Sequence, residues 1–183
     1  GKKSGPVKNW NADNTKVLDG FYESGEKDDT WTFWYDDGIM KAKEGYQNGK
    51  RHDKWIWWDP EGIKIKEGEY KNGVKHGTWI NWNNSEDKSI EETYLNGVIN
   101  GMVTIWFDNG NKDREGVIRV NEPEGKWSYY YPNGELDFIF DYGAGLERVR
   151  ISELENRDGV FYKIGKYKPY SGMVIETGGI KDY

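Results

Sequence analysis

The 183-residue chain has no cysteine, which removes disulfides and thiolate metal sites and leaves the redox compartment undecided. Long apolar runs are missing too: nothing approaches the roughly 18 residues of a membrane span, so none is expected. Histidine is reduced to His52 and His76, too few ligands for a structural zinc site. No Gly-rich phosphate loop opens a helix and no serine-nucleophile motif occurs. Neither a metal nor a cofactor is expected. A basic excess is also lacking. The net charge is -6, with Lys and Glu interspersed along stretches such as KIKEGEYKNG, and no basic stripe is read from them. Nucleic acid, which calls for such a footprint, is therefore not an expected partner, and an anionic membrane surface is disfavoured for the same reason. The chain begins GKKSG without an initiator Met, which tips the expectation toward a processed leader and the cell envelope or secretion.

What is present is aromatic. A mean hydropathy of -0.99 with 32% charged residues would suit a disordered chain, but 16% of the residues are aromatic, including ten Trp and thirteen Tyr, and disordered segments lack those. Each large ring buries about 150–250 Å² when covered, so the apolar contacts are expected to come from rings instead of Leu and Ile. The rings also recur. Trp10, Trp34, Trp58, Trp82 and Trp106 stand 24 positions apart, with Tyr130 next in line. Val7, Trp31, Trp55, Trp79, Val103 and Trp127 form a second series at the same spacing, and Tyr22, Tyr46, Tyr70, Tyr94, Ile118 and Tyr142 a third. Glycines follow in phase as Gly25, Gly49, Gly73 and Gly97, and again as Gly38, Gly62, Gly110 and Gly134. A fixed period of this size is the signature of a repeat array.

Within one unit, TWTFWY (Thr30 to Tyr35) is dense in aromatic and β-branched residues and runs straight into Asp36-Asp37-Gly38, a strand followed by a turn. KIKEGEY (Lys64 to Tyr70) gives the second strand, and Asn72-Gly73 after it is a strong hairpin signal. An isolated two-stranded hairpin is marginal in water. Stacking side by side lets each ring meet its copies in the neighbouring units. The expected fold is all-β: an elongated, single-layer antiparallel meander of tandem 24-residue hairpins.

Alternation along each strand assigns two faces. One carries the Trp10, Trp34, Trp58, Trp82, Trp106 and Tyr130 ladder beside Thr32, Ile56, Ile80, Thr104 and Ser128. It is nearly constant, as packing requires, and is expected to be the structural ladder. The other face holds Trp31, Phe33 and Tyr35, then Trp55 and Trp57, then Trp79 and Asn81, and later Trp127 and Tyr129. Its middle and outer positions vary from unit to unit, which marks it as the candidate recognition surface.

These units, G-x-W-x-x-W/Y-x-x-x-G and E-G-x-Y-x-N-G-x-x-H/D-G, resemble MORN repeats, and more closely the bacterial MORN-repeat variant whose members are often labelled antitoxin-like. The resemblance covers roughly residues 5–142. It implies a scaffold for protein contacts and no reaction. Three departures loosen the pattern: Glu86 stands at a turn glycine, Val103 at a ladder Trp, and Asn121 at a loop glycine. The ladders stop after Tyr142. Residues 143–168 read as a linker or cap, and residues 169–183, beginning PYSGMVIETGG, as an abbreviated further repeat.

Carboxylates abound, but Glu44, Glu67, Glu91 and Glu115 recur near one phase as repetition alone produces, so no catalytic pair is singled out. The expected function is a non-catalytic scaffold that receives a protein partner on its aromatic face or, like a second copy of itself, along an open sheet edge. The alternative is a glycan or choline-type ligand held by the same rings, since hairpins such as GKWSYYYPNG are similar to choline-binding and glucan-binding repeats.

Overall fold

The computed structural model describes residues 1–83 and 86–143, with only the backbone at residue 138, and beyond them only the backbone of five short strands. The described residues are all strand and turn. Twelve strands, β1 (Gly5–Trp10), β2 (Lys16–Glu23), β3 (Glu26–Trp34), β4 (Met40–Gln47), β5 (Lys50–Trp58), β6 (Lys64–Lys71), β7 (Val74–Trp82), β8 (Lys88–Leu95), β9 (Val98–Trp106), β10 (Lys112–Arg119), β11 (Glu122–Tyr130) and β12 (Leu136–Asp141), pair in sequence order as one open antiparallel sheet. At about 4.8 Å per strand that sheet is about 53 Å long and one layer thick. It belongs to a first compact unit, Gly1–Phe140.

The second unit, Asp141–Tyr183, contains β13 (Val149–Arg150), β14 (Leu154–Arg157), β15 (Val160–Lys163), β16 (Val174–Glu176) and β17 (Gly179–Lys181). Here β14 pairs with β15, and β16 pairs with β13 and β17. The proposed linker and abbreviated repeat fall in this unit, and most of the residues that would define that repeat lie outside the described ones.

Two kinds of turn alternate along the sheet. Three-residue loops such as Asp36-Asp37-Gly38 are closed by Tyr35 N donating to Ile39 O and Gly38 N to Tyr35 O. The left-handed position of this loop is taken in turn by Asn14, Gly38, Gly62, Glu86, Gly110 and Gly134, so Glu86 adopts the conformation of the glycine it replaces. At the other end, Ser24-Gly25, Asn48-Gly49, Asn72-Gly73, Asn96-Gly97 and Val120-Asn121 have positive φ at both residues, as two-residue hairpins of type I′ require. Val120 is the misfit, a β-branched side chain at φ 51°. Val120→Asn is expected to stabilise the fold by about 1 kcal/mol by removing that strain, read as a higher denaturation midpoint.

The type I′ turns show why one unit cannot stand alone. The N–H of the second turn residue donates to a carbonyl of the preceding repeat: Gly25 to Lys3, Gly49 to Lys27, Gly73 to Arg51, Gly97 to Lys75 and Asn121 to Ile99, at 2.6–2.9 Å. The first turn residue is often capped by the next side chain of that same repeat. Ser24 N–H donates to Ser4 Oγ, Asn48 to Asp28 Oδ1, Asn72 to His52 Nδ1 and Val120 to Asn100 Oδ1. His52 is thus a turn cap. His76 occupies the equivalent place before Asn96, although its buried Nδ1 has no hydrogen-bond partner among the described residues.

Candidate functional site

The two faces contain the residues that alternation assigns to them. Direct cross-strand pairing runs Asp19, Thr32, Lys43, Ile56, Glu67, Ile80, Glu91, Thr104, Glu115 and Ser128 across one face. A row on the other face runs Leu18, Phe33, Ala42, Trp57, Lys66, Asn81, Ile90, Ile105, Arg114 and Tyr129.

Burial corrects the roles given to these faces. Trp31, Trp55, Trp79 and Trp127, placed on the candidate recognition surface, are only 2, 3, 1 and 5% exposed, and Val103 in the same series is also buried. The proposed structural ladder is less covered: Trp34, Trp58, Trp82, Trp106 and Tyr130 are half-buried, and Trp10 is 52% exposed. Four indoles of the first set are therefore frame. The remaining candidates, Phe33, Tyr35, Trp57 and Tyr129, are half-buried and keep accessible surface; the Tyr35 hydroxyl donates to Trp58 O.

A bulge buries the Trp31 series. Ahead of each buried Trp the ladder skips, for example between Asp19 and Phe21, Glu44 and Tyr46, and Glu67 and Glu69. A bulge leaves a backbone group without its ladder bond, and the indole supplies a donor. Trp31 Nε1 donates to Phe21 O, Trp55 to Gly45 O, Trp79 to Glu69 O and Trp127 to Val117 O, at 2.8–3.1 Å. Room for the ring comes from glycine. A Cβ on Gly20 would lie 2.7 Å from Trp31 Cε3, one on Gly68 2.7 Å from Trp79 Cε3, and one on Gly116 would enter the Trp127 ring.

Tyrosines fill the gaps between the indoles. Tyr22, Trp31, Tyr46, Trp55, Tyr70, Trp79 and Tyr94 touch in succession with ring centroids 4.9–6.4 Å apart, mostly edge to face, the favoured geometry for such pairs. Cations close the stack from above. Lys27 Nζ lies 4.3 Å from the Trp31 centroid and 4.6 Å from that of Tyr46, Arg51 lies 5.2 Å from both Trp55 and Tyr70, and Lys75 4.3 Å from both Trp79 and Tyr94. Lys3 stands 4.4 Å over Tyr22. The expectation of no basic stripe is thereby corrected: Lys3, Lys27, Arg51 and Lys75 stand 24 residues apart in one row, a signal hidden by averaging charge over the chain.

Of the carboxylates beside this row, Glu44 and Glu92 each accept from a tyrosine, Tyr46 at 2.8 Å and Tyr94 at 2.9 Å, while Asp29 and Asp53 stand across the ladder from Tyr46 and Tyr70. Burial, then these hydrogen bonds, push the Tyr46 and Tyr94 phenols well above their ordinary range. Burial, then the neighbouring Lys66, hold the Lys75 ammonium below its usual value. Beside the stack, a shallow open hollow is lined by Phe33, Lys41, Ala42, Glu44 and Trp57 among others. Its floor is small because Ala42 is the cross-strand neighbour of both Phe33 and Trp57.

On the opposite face, Lys16 pairs with Asp19, Lys64 with Glu67, Lys88 with Glu91 and Lys112 with Glu115 at 2.7–3.2 Å. Three of these lysines also cap the half-buried ladder, Lys16 over Trp34, Lys64 over Trp82 and Lys88 over Trp106. Glu67, Glu91 and Glu115 are therefore partners of lysines in a repeating surface pattern, while Glu44 belongs to the other face. No family model matches the chain, and no curated protein matches it.

Proposed function

We propose that the twelve-stranded sheet is a non-catalytic scaffold for protein–protein contact, and that the chain is a MORN-repeat protein of the bacterial, antitoxin-like variant. One observation carries the scaffold reading. A buried frame of indoles, constant but for Val103, supports an adjacent half-exposed row, Phe33, Trp57, Asn81, Ile105 and Tyr129, whose residue type changes in every repeat. Packing alone asks for sameness in such a row, and variation on a fixed support suits recognition of one particular partner. The cations over the tyrosines and indoles argue against a choline-type cage, because the chain's own Lys27, Arg51 and Lys75 already occupy the ring faces.

Half-exposed aromatic anchors dominate interfaces when a partner desolvates them. The double variant Phe33→Ala, Trp57→Ala is therefore expected to lose capture of a specific partner from a lysate of the source cell while keeping the far-UV dichroism of the parent. Retention of the parent on a polysaccharide or choline resin, lost in the same double variant and independent of any protein, would replace the scaffold reading with the glycan one.

A further inference from the structure

The row Lys3, Lys27, Arg51 and Lys75 has a geometry of its own. These cations lie on or just ahead of alternate strands of the array: Lys3 leads into β1, and the others belong to β3, β5 and β7. Successive members are thus two strands apart, about 9.5 Å, and the row spans about 29 Å. Ile99 and Pro123 take the equivalent places further on, so the row is confined to the first four repeats. Lys66 adds a fifth cation, 5.5 Å from the centroid of the Trp79 ring that Lys75 also covers. Among the described residues no ion pair joins Lys27, Arg51 or Lys75 to a carboxylate as the lysines of the other face are joined: Glu44 and Glu92 are turned to Tyr46 and Tyr94, Asp29 accepts from the Thr30 N–H, and Asp53 lies 3.8 Å from His52 Nε2.

We propose that this row is the docking line for an extended acidic segment of a protein partner, laid across the strands with carboxylates recurring about every third residue. This rests on the scaffold reading and specifies the partner's chemistry. The spacing fits a segment in the polyproline II conformation, where three residues make one turn and rise about 9.3 Å, so that every third side chain returns to the face over the row. The surroundings favour a narrow peptide over a broad anionic surface. The loops at the far ends of the strands carry Asp13, Asp36, Asp37, Asp59, Glu61 and Asp108, an acidic rim that a bilayer or a duplex lying flat on the face would meet and a single segment avoids. Lys75, held low by burial and then by Lys66 against the opposing pull of Glu92, is relieved by an incoming carboxylate.

The probe is a synthetic 21-residue peptide with Glu at every third position and Ser or Ala between, titrated against the full chain in low salt with tryptophan fluorescence as readout. Lys27→Gln, Arg51→Gln, Lys75→Gln together should weaken binding by about tenfold to a hundredfold. Lys16→Gln, Lys64→Gln, Lys88→Gln remove the same charge from the other face and should leave it unchanged. Should the first triple variant fail to fold, the pair Lys3→Gln, Arg51→Gln, both exposed in the parent, takes its place. Equal weakening by both triples, no binding by the parent, or equally row-dependent binding of phosphatidylserine vesicles or duplex DNA would overturn the proposal. Peptide binding lost while partner capture through Phe33 and Trp57 persists would leave the scaffold reading standing without the docking line.

Discussion

Trp79→Ala is expected to lower the free energy of unfolding by about 3–5 kcal/mol, the range for deleting a buried large aromatic side chain. Trp82→Ala, three residues along the same strand, should cost clearly less. The two indoles share a strand and differ in what surrounds them. Trp79 is 1% exposed, lies on Gly68, touches Tyr70 and Tyr94, and donates to Glu69 O. Its removal opens a cavity and leaves a carbonyl at a bulge without a donor, two costs that add. Trp82 is half-buried, with Lys64 4.1 Å over its ring, and water can take the place of its lost contacts. Because β7 lies in the middle of the array, the loss should also lower the denaturant slope if the two flanking segments begin to unfold separately. Urea titration followed by far-UV dichroism reads both quantities; equal losses for Trp79 and Trp82 would show that depth of burial does not separate the two ladders.

The period, the hairpins, both kinds of turn and the membership of each face are legible in the sequence, because all of them are local. Asn72-Gly73 encodes its own turn, and alternation from Thr30 to Tyr35 encodes which side chains share a face. Depth of burial is another matter. Period-two alternation says that Trp31 and Trp34 lie on opposite sides, and nothing in it says which side is deeper. That is decided by a bulge, by the glycine that lets the ring lie on the backbone, and by the carbonyl the indole reaches, all on the neighbouring strand. A trace does exist in the residues: Gly20 precedes Trp31, Gly68 precedes Trp79 and Gly116 precedes Trp127 by the same eleven positions. Constancy of the Trp34 series suggested a core, but the constancy serves a half-buried surface pattern in which Trp34, Trp82 and Trp106 each share a lysine with an acidic neighbour. The histidines were opaque for a related reason, since the N–H that His52 caps belongs to the next repeat.

Gly68→Glu alone should destabilise the fold by about 3 kcal/mol, the upper part of the usual range for overpacking, and Gly68→Glu combined with Glu69→Gly should recover most of it. The five bulges come in two forms. In the repeats with Gly20, Gly68 and Gly116 the ladder skips that glycine, and the following Trp ring occupies the space a Cβ would need. In the repeat with Glu44 the skip falls one residue later, at Gly45, where a Cβ would run into His52 O. The repeat with Glu92 skips Thr93 and finds its space across the strands at Gly101, whose Cβ would lie 2.7 Å from Thr93 Cβ. Each bulge thus has one glycine at its close approach, and its place relative to the acidic residue goes with one of the two skips. The double variant turns Glu67-Gly68-Glu69-Tyr70 into Glu-Glu-Gly-Tyr, the order found at Glu44-Gly45-Tyr46, with composition and net charge unchanged. The indole target survives the exchange, because Trp55 bonds to Gly45 O from the position equivalent to that from which Trp79 bonds to Glu69 O. A double variant as unstable as Gly68→Glu would show that the skip is imposed by the rest of the repeat instead of by the placement of its glycine.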